Sequence, residues 1–128
     1  MIEAKDMSLV YGDGTKALKS VNLHIEAGEI VYITGPSGSG KTSLLKLIMG
    51  IEYPTEGNLK VMGQWIAREQ ISNIRKLRRN MGPVFQEFKL IKGRTALENI
   101  VLGMRFLHFT PKEMEENATR ALEKVGLI

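Results

Sequence analysis

Cysteine is missing from all 128 residues. The chain therefore has no disulfide framework and no thiolate zinc site, which suits a reducing compartment. No apolar stretch approaches the about 20 residues that a membrane helix needs. Met1 leads into a charged, strand-like segment in place of the apolar core of a secretion signal, so a soluble chain is expected. Aromatic residues are only 6% of the chain, and none is interleaved with the basic cluster Arg75, Lys76, Arg78 and Arg79. That cluster reads as the solvated face of a helix, and no nucleic-acid partner is expected. The net charge of +4, with a pI of about 9.4, is mild, and a phosphate ligand accounts for part of it. Aspartate does not recur after Asp13.

Glycine, by contrast, is concentrated where it can do chemistry. Gly35, Pro36, Ser37, Gly38, Ser39, Gly40, Lys41 and Thr42 satisfy the phosphate-loop pattern GxxxxGK(S/T). Such a loop curls so that successive backbone N–H groups point at phosphate oxygens, its lysine reaches the β and γ phosphates, and its final hydroxyl binds magnesium. The flanks match. Ile30, Val31, Tyr32, Ile33 and Thr34 form a β-branched and aromatic run that predicts a strand, and Ser43 to Met49 predicts a helix stopped by Gly50. ATP and Mg are the expected ligands. A GTPase would need aspartate-bearing DxxG and NKxD motifs beyond the loop, and the missing aspartates exclude both.

Before the loop, Ile2 and Ala4, then Met7, Leu9 and Tyr11, alternate at the period of a half-buried strand. Val21, Leu23 and Ile25 alternate again after a turn at Gly12, Asp13 and Gly14, which predicts an antiparallel hairpin. Residues 58–62 read as a short strand returning to that layer, and Trp65 reads as core. Ile71, Ile74, Leu77 and Met81 fall at helical spacing, and Val84 and Phe85 suggest a short strand leading to Gln86. Two capping boxes, Thr95 with Glu98 and Thr110 with Glu113, each announce a helix, the second reinforced by Pro111 and ended by Gly126.

Taken in order, these residues resemble one family, the ATP-binding cassette (ABC) ATPases. Tyr11 lies where the family's adenine-stacking aromatic lies, GPSGSGKT follows, and Gly82, Pro83, Val84, Phe85 and Gln86 resemble the family's GxxFQ. Thr95, Leu97, Glu98 and Asn99 resemble the opening of its helical subdomain, and Val125, Gly126 and Leu127 the stretch ahead of its signature sequence. Within the family, Leu44 to Glu52, the pair Arg78 and Arg79, and Arg94 with Thr95 look most like the cell-division ATPase FtsE, with lipoprotein-release and macrolide-export ATPases as near neighbours.

The resemblance implies an α/β phosphate-loop NTPase fold of ABC type: an N-terminal antiparallel β layer, a phosphate-loop core with an incomplete parallel sheet, and the start of a helical subdomain. It implies the N-terminal part of one ATPase domain, with residues 1–34 and 58–62 in the β layer with the phosphate-loop strand, 35–50 as loop and helix, 82–91 as the Gln86 region and 95–128 as the opening of the helical subdomain. It assigns Tyr11 to adenine stacking, Ser37 to Thr42 to the phosphates, Ser43 to the α-phosphate, and Gln86 to magnesium and the attacking water. Lys41 and Gln86 are the catalytic candidates, and Thr42 and Gln86 the metal candidates.

The same resemblance sends Phe88, Leu90 and Ile91 to a groove that receives an integral membrane subunit, an FtsX-like protein or a transporter permease, and leaves local core packing as their alternative. Burial as a strand-end aromatic is the alternative for Tyr11. The protein is expected on the cytoplasmic face of the membrane, held there by its partner, and a second copy is an expected partner. Pro83 departs from the pattern, because it removes a backbone donor from an expected strand. No aspartate–glutamate pair at the end of an apolar strand, no LSGGQ sequence and no histidine in the matching context occur among these residues. The chain by itself is accordingly expected to bind nucleotide, to hydrolyse it near background, and to associate with another copy or stay loosely packed. The competing reading is a nucleotide-binding or self-associating module without turnover.

Overall fold

The computed structural model describes residues 1–128, in two units, Met1–Gly82 and Pro83–Ile128. The first unit contains every strand of the chain. Strand β1 (Ile2–Val10) and strand β2 (Lys16–Ile25) form the expected antiparallel hairpin, with Ile2 opposite Ile25 and Ala4 opposite Leu23. Strand β3 (Glu56–Val61) lies antiparallel on the other side of β1, pairing Ile2 with Val61 and Ala4 with Leu59. Strand β4 (Gln64–Trp65) closes the order β2-β1-β3-β4.

The alternation of β1 changes phase in its middle, and the structure gives the reason. Asp6 adopts φ 46°, in the left-handed region, and the pairing with both neighbours shifts register there. The irregularity rotates the strand so that Met7 and Leu9, like Ala4 before them, face the core. The Asn22 side chain accepts from the Asp6 N–H at 3.0 Å and donates to the Asp6 carboxylate at 3.1 Å, which holds the bulge in place.

Helix α1 (Lys41–Ile48) and helix α2 (Ile71–Arg78) complete this unit. Leu47 of α1 and Ile74 and Leu77 of α2 are buried with Ala4, Met7, Leu9, Leu59, Val61 and Ile66 in one core. Gly50 ends α1 as the sequence predicts. Its N–H donates to the Leu47 carbonyl at 2.9 Å and the Ile51 N–H to the Lys46 carbonyl at 2.8 Å, the double bond of a Schellman motif.

Three expectations fail here. Trp65 is not core: it is about half exposed, and the Lys60 ammonium sits 5.2 Å from its ring centre, across the β3–β4 pair. Residues 30–34 form no strand, because all four strands of the chain are already in the antiparallel sheet and none is left to pair with them. The parallel sheet expected around the phosphate-loop strand is therefore not formed by these residues. Val84 and Phe85 are likewise outside any strand, and Val84 is 96% exposed.

In the second unit, helix α3 (Ala96–Met104) and helix α4 (Pro111–Lys124) pack on each other. Both start at the predicted capping boxes. Thr95 accepts from the Glu98 N–H while the Glu98 carboxylate accepts from the Thr95 N–H, and Thr110 and Glu113 repeat the exchange. Those backbone donors, followed by the threonine hydroxyls, hold both glutamate carboxyls below their ordinary range. Ala118 and Leu122 are the buried residues of α4, and none in α3 is fully buried.

Candidate nucleotide site

The phosphate loop is held by its own lysine. Lys41 Nζ donates to the carbonyls of Gly35 and Pro36, each at 2.7 Å, and lies 3.2 Å from Ser39 Oγ. The ammonium thus ties Lys41, next to the end of the loop, back to its first two residues. Gly38 and Gly40 have φ of 80° and 94°, values that an L side chain resists, so the curl depends on glycine at these positions. A Cβ on Gly40 would also stand 2.6 Å from the Ala17 carbonyl oxygen of β2, so the sheet seats the loop from below.

Helix α1 begins directly from this curl. Its first intrahelical bond runs from the Leu44 N–H to the Gly40 carbonyl, at 2.9 Å. The N–H groups of Lys41, Thr42 and Ser43 have no carbonyl of their own helix to bond, and no side chain caps them. No acidic residue stands in the first turn to neutralise the positive end of the helix dipole. Free donors, a positive helix end and a lysine converge on one loop, and that set fits a polyphosphate anion. Thr42 is exposed at the helix start, where its hydroxyl is free to act as one oxygen ligand of a phosphate-bound magnesium.

Tyr11, just past the end of β1, is half-buried against the core, and its hydroxyl is 2.9 Å from Ser43 Oγ. The structure thereby joins the residue expected at the adenine to the residue expected at the α-phosphate. This packing accommodates both readings of Tyr11, since the ring is partly buried and its polar end touches the helix start. A cleft of about 320 Å³ in the same unit, bordered by Tyr53, Leu59, Trp65 and Arg68, contains no loop residue. The candidate site is an open backbone cradle, with Gly35 to Ser39 all exposed.

Gln86 belongs to the second unit and is exposed in a turn between Phe85 and the left-handed pair Phe88 and Lys89, with φ of 56° and 52°. Phe88 and Leu90 are 78% and 68% exposed, and Ile91 is also exposed, so local core packing is not their role in this structure. Asn99 of α3 fixes the end of this loop: its Oδ1 accepts from the Ile91 N–H at 2.8 Å, and its amide donates to the Ile91 carbonyl at 3.3 Å. Sequence reading marks Asn99 only for its resemblance and misses this clasp.

It misses Arg78 as well. The Arg78 Nε donates to the Met49 carbonyl at 2.9 Å and its Nη2 to the Gly50 carbonyl at 2.5 Å, so it is bonded to the far end of α1 and is not merely part of a solvated basic face. An arginine one residue past Leu77, at the end of an apolar-periodic helix, is the available signal.

Comparison with known proteins agrees with the geometry. Residues 18–128 match the profile of the family described as ABC transporter. The chain is 37% identical, over its whole length, to the phosphonates import ATP-binding protein PhnC of Bacillus anthracis, covering 53% of that protein. It is 43% identical over 99% of its length to the glutamine transport ATP-binding protein GlnQ of Bacillus subtilis (strain 168), covering 52% of that protein. The chain thus spans about half the length of the curated relatives it matches. Among solved structures, the dimeric ATP-binding cassette MJ0796, in a post-hydrolysis state bound to ADP and Pi, superposes with a TM-score of 0.87. That match has 37% identity and covers 96% of this chain and 56% of the other. With the loop, the helix start and the antiparallel layer all in place, the chain belongs to the ABC transporter family, as part of an ATP-binding domain with the phosphate-loop NTPase fold.

Proposed function

We propose that the chain binds Mg–ATP through Gly35 to Ser43, with Tyr11 against the adenine, Thr42 on magnesium and Gln86 at the metal and the attacking water. Residues 1–128 are then the N-terminal part of one ATPase domain, divided at 1–34 with 58–62, 35–50, 82–91 and 95–128. The single observation that carries this reading is the loop itself: Lys41 bonded across the Gly35 and Pro36 carbonyls at an uncapped helix start. Calorimetric titration of the chain with Mg–ATP, beside Lys41→Ala, tests it. Saturable binding that weakens about tenfold or more in the variant is expected, since bonds to a charged group contribute about 1.5–3 kcal/mol each. A folded chain that takes up no nucleotide overturns it.

The whole protein, in this reading, couples ATP hydrolysis to an integral membrane permease from the cytoplasmic face, with Phe88, Leu90 and Ile91 as the contact. Their exposure supports that assignment. Phe88→Ser with Leu90→Ser, in the whole protein, should leave ATP binding unchanged and abolish recovery with its permease in detergent-solubilised membranes. Among these 128 residues no aspartate follows Asp13, so the 128-residue chain should turn over ATP near background. Turnover abolished by Lys41→Ala would contradict that.

The task of the transporter is the finer point. One relative is named for phosphonates import and the other for glutamine transport, and the chain resembles both to a similar degree. These residues therefore serve nucleotide handling more than cargo choice, and an importer subunit is the broader reading. The FtsE-like reading, with an FtsX-like partner, rests on Leu44 to Glu52, Arg78 with Arg79, and Arg94 with Thr95. Arg78 has a structural reason to be present in any member that builds this helix pair, which weakens its value as an FtsE marker. Self-association of the chain has its own support in the exposed run Ile30, Val31, Tyr32 and Ile33. Sedimentation of wild type beside Ile30→Lys with Tyr32→Lys distinguishes it, the variant shifting toward monomer.

A further inference from the structure

We infer that Arg78 is a positioning residue for the nucleotide site, holding the phosphate-loop helix by its opposite end. The inference rests on the nucleotide reading of the loop but is tested apart from it. Helix α1 has eight residues, about 12 Å at 1.5 Å per residue, so no residue in it lies far from an end. A helix of that length is not stable alone, and its direction is set by what grips it. At the loop end no side chain caps it.

At the other end the grip is specific. Two guanidinium bonds meet the carbonyls of Met49 and Gly50, immediately after the last turn. These bonds lie beside the Schellman pair, which uses the carbonyls of Lys46 and Leu47 instead, so the two devices satisfy different acceptors. Close packing accompanies them, since a Cβ on Gly50 would stand 2.6 Å from Ile74 Cγ2 of α2. The planar fork of arginine matches two neighbouring carbonyls, and its charge complements the negative helix end; lysine provides only the charge. Arg79, next in sequence, makes no bond to α1.

The test uses the 128-residue chain with Arg78→Gln, Arg78→Lys, Arg79→Gln and Leu77→Ala. Amide hydrogen exchange without nucleotide is read at the bonded N–H groups of Ser39 and Leu44 at the loop end and at residues 49–51 at the other, and Mg–ATP affinity is measured by calorimetry. Arg78→Gln should accelerate exchange at both ends of α1 and weaken Mg–ATP about tenfold, a loss comparable with one charged hydrogen bond. Arg78→Lys should restore part of both, and Arg79→Gln should change neither. Leu77→Ala, which loosens the same helix pair without touching the carbonyls, should lower the melting temperature while leaving affinity within about twofold when measured well below the melt. Faster exchange confined to residues 49–51, or equal affinity losses in Arg78→Gln and Leu77→Ala, would overturn the inference. If the wild type binds no nucleotide, the functional reading fails instead, and the exchange at Ser39 and Leu44 still decides the role of Arg78.

Discussion

Strand β1 and the run from Ile30 to Thr34 are both rich in apolar, β-forming residues, yet they end in opposite states. β1 has a hydrogen-bonded neighbour on each side, and Met7 and Leu9 within it are 0% and 2% exposed. The run ahead of the phosphate loop has no neighbour, and Ile30 and Tyr32 are 84% and 86% exposed. The difference is not composition but partnership. A strand satisfies its backbone only through another strand, and its apolar face is buried only when a layer covers it.

That contrast can be broken by mutation. Leu59→Ala, opposite Ala4 in the paired sheet, should destabilise the chain by about 2–5 kcal/mol in denaturant unfolding, because it leaves a cavity in a filled core. Tyr32→Ala should change stability by less than about 0.5 kcal/mol, as an exposed residue should. Equal losses would show that residues 30–34 are covered in solution. A Cβ on Gly57 would run into the Asp6 carbonyl, and the residue has φ 71°. Gly57→Ala should therefore lose about 1–3 kcal/mol by the same measurement.

The second unit offers a gentler version of the test, since its order depends on caps more than on a core. Thr110→Ala should reduce stability by about 1 kcal/mol, seen as lower helical circular dichroism on mild heating. The smallest effect is in pH. Glu98 and Glu113 have carboxyls held below their usual value of 4.5, so their caps contribute above that value and are lost as pH falls through the lower folded values. Acidification from about pH 6 should leave the helical signal flat at first and then lower it, and Glu98→Gln with Glu113→Gln should flatten that change.

What can be read in the sequence is what acts locally. The capping boxes at Thr95 and Thr110, the helix stop at Gly50, the hairpin around Gly12 to Gly14 and the lysine-bearing loop all follow from residues a few positions apart. The expectations that fail depend on distant groups. Nothing within Ile30 to Thr34 says whether a partner strand is present, and nothing near Arg78 shows that the carbonyls of Met49 and Gly50 lie within reach. Trp65 defeats the reading because aromatics are usually buried, whereas here a lysine across the sheet covers one of its faces. The loop residues themselves fall where their pattern puts them, at a helix start.

The irregularity at Asp6 acts like the notch of a key. In a plain strand, sliding the partner by two residues keeps every side chain on its original face, so a misaligned sheet can be almost as good as the native one. Here Gly57 lies against the carbonyl of Asp6, and any slide of β3 would bring a side-chain-bearing residue to that spot, whether Thr55, Glu56, Asn58 or Leu59. A slipped alignment of β1 and β3 would carry the same penalty as a side chain at Gly57, so the layer that seats the phosphate loop favours its native register.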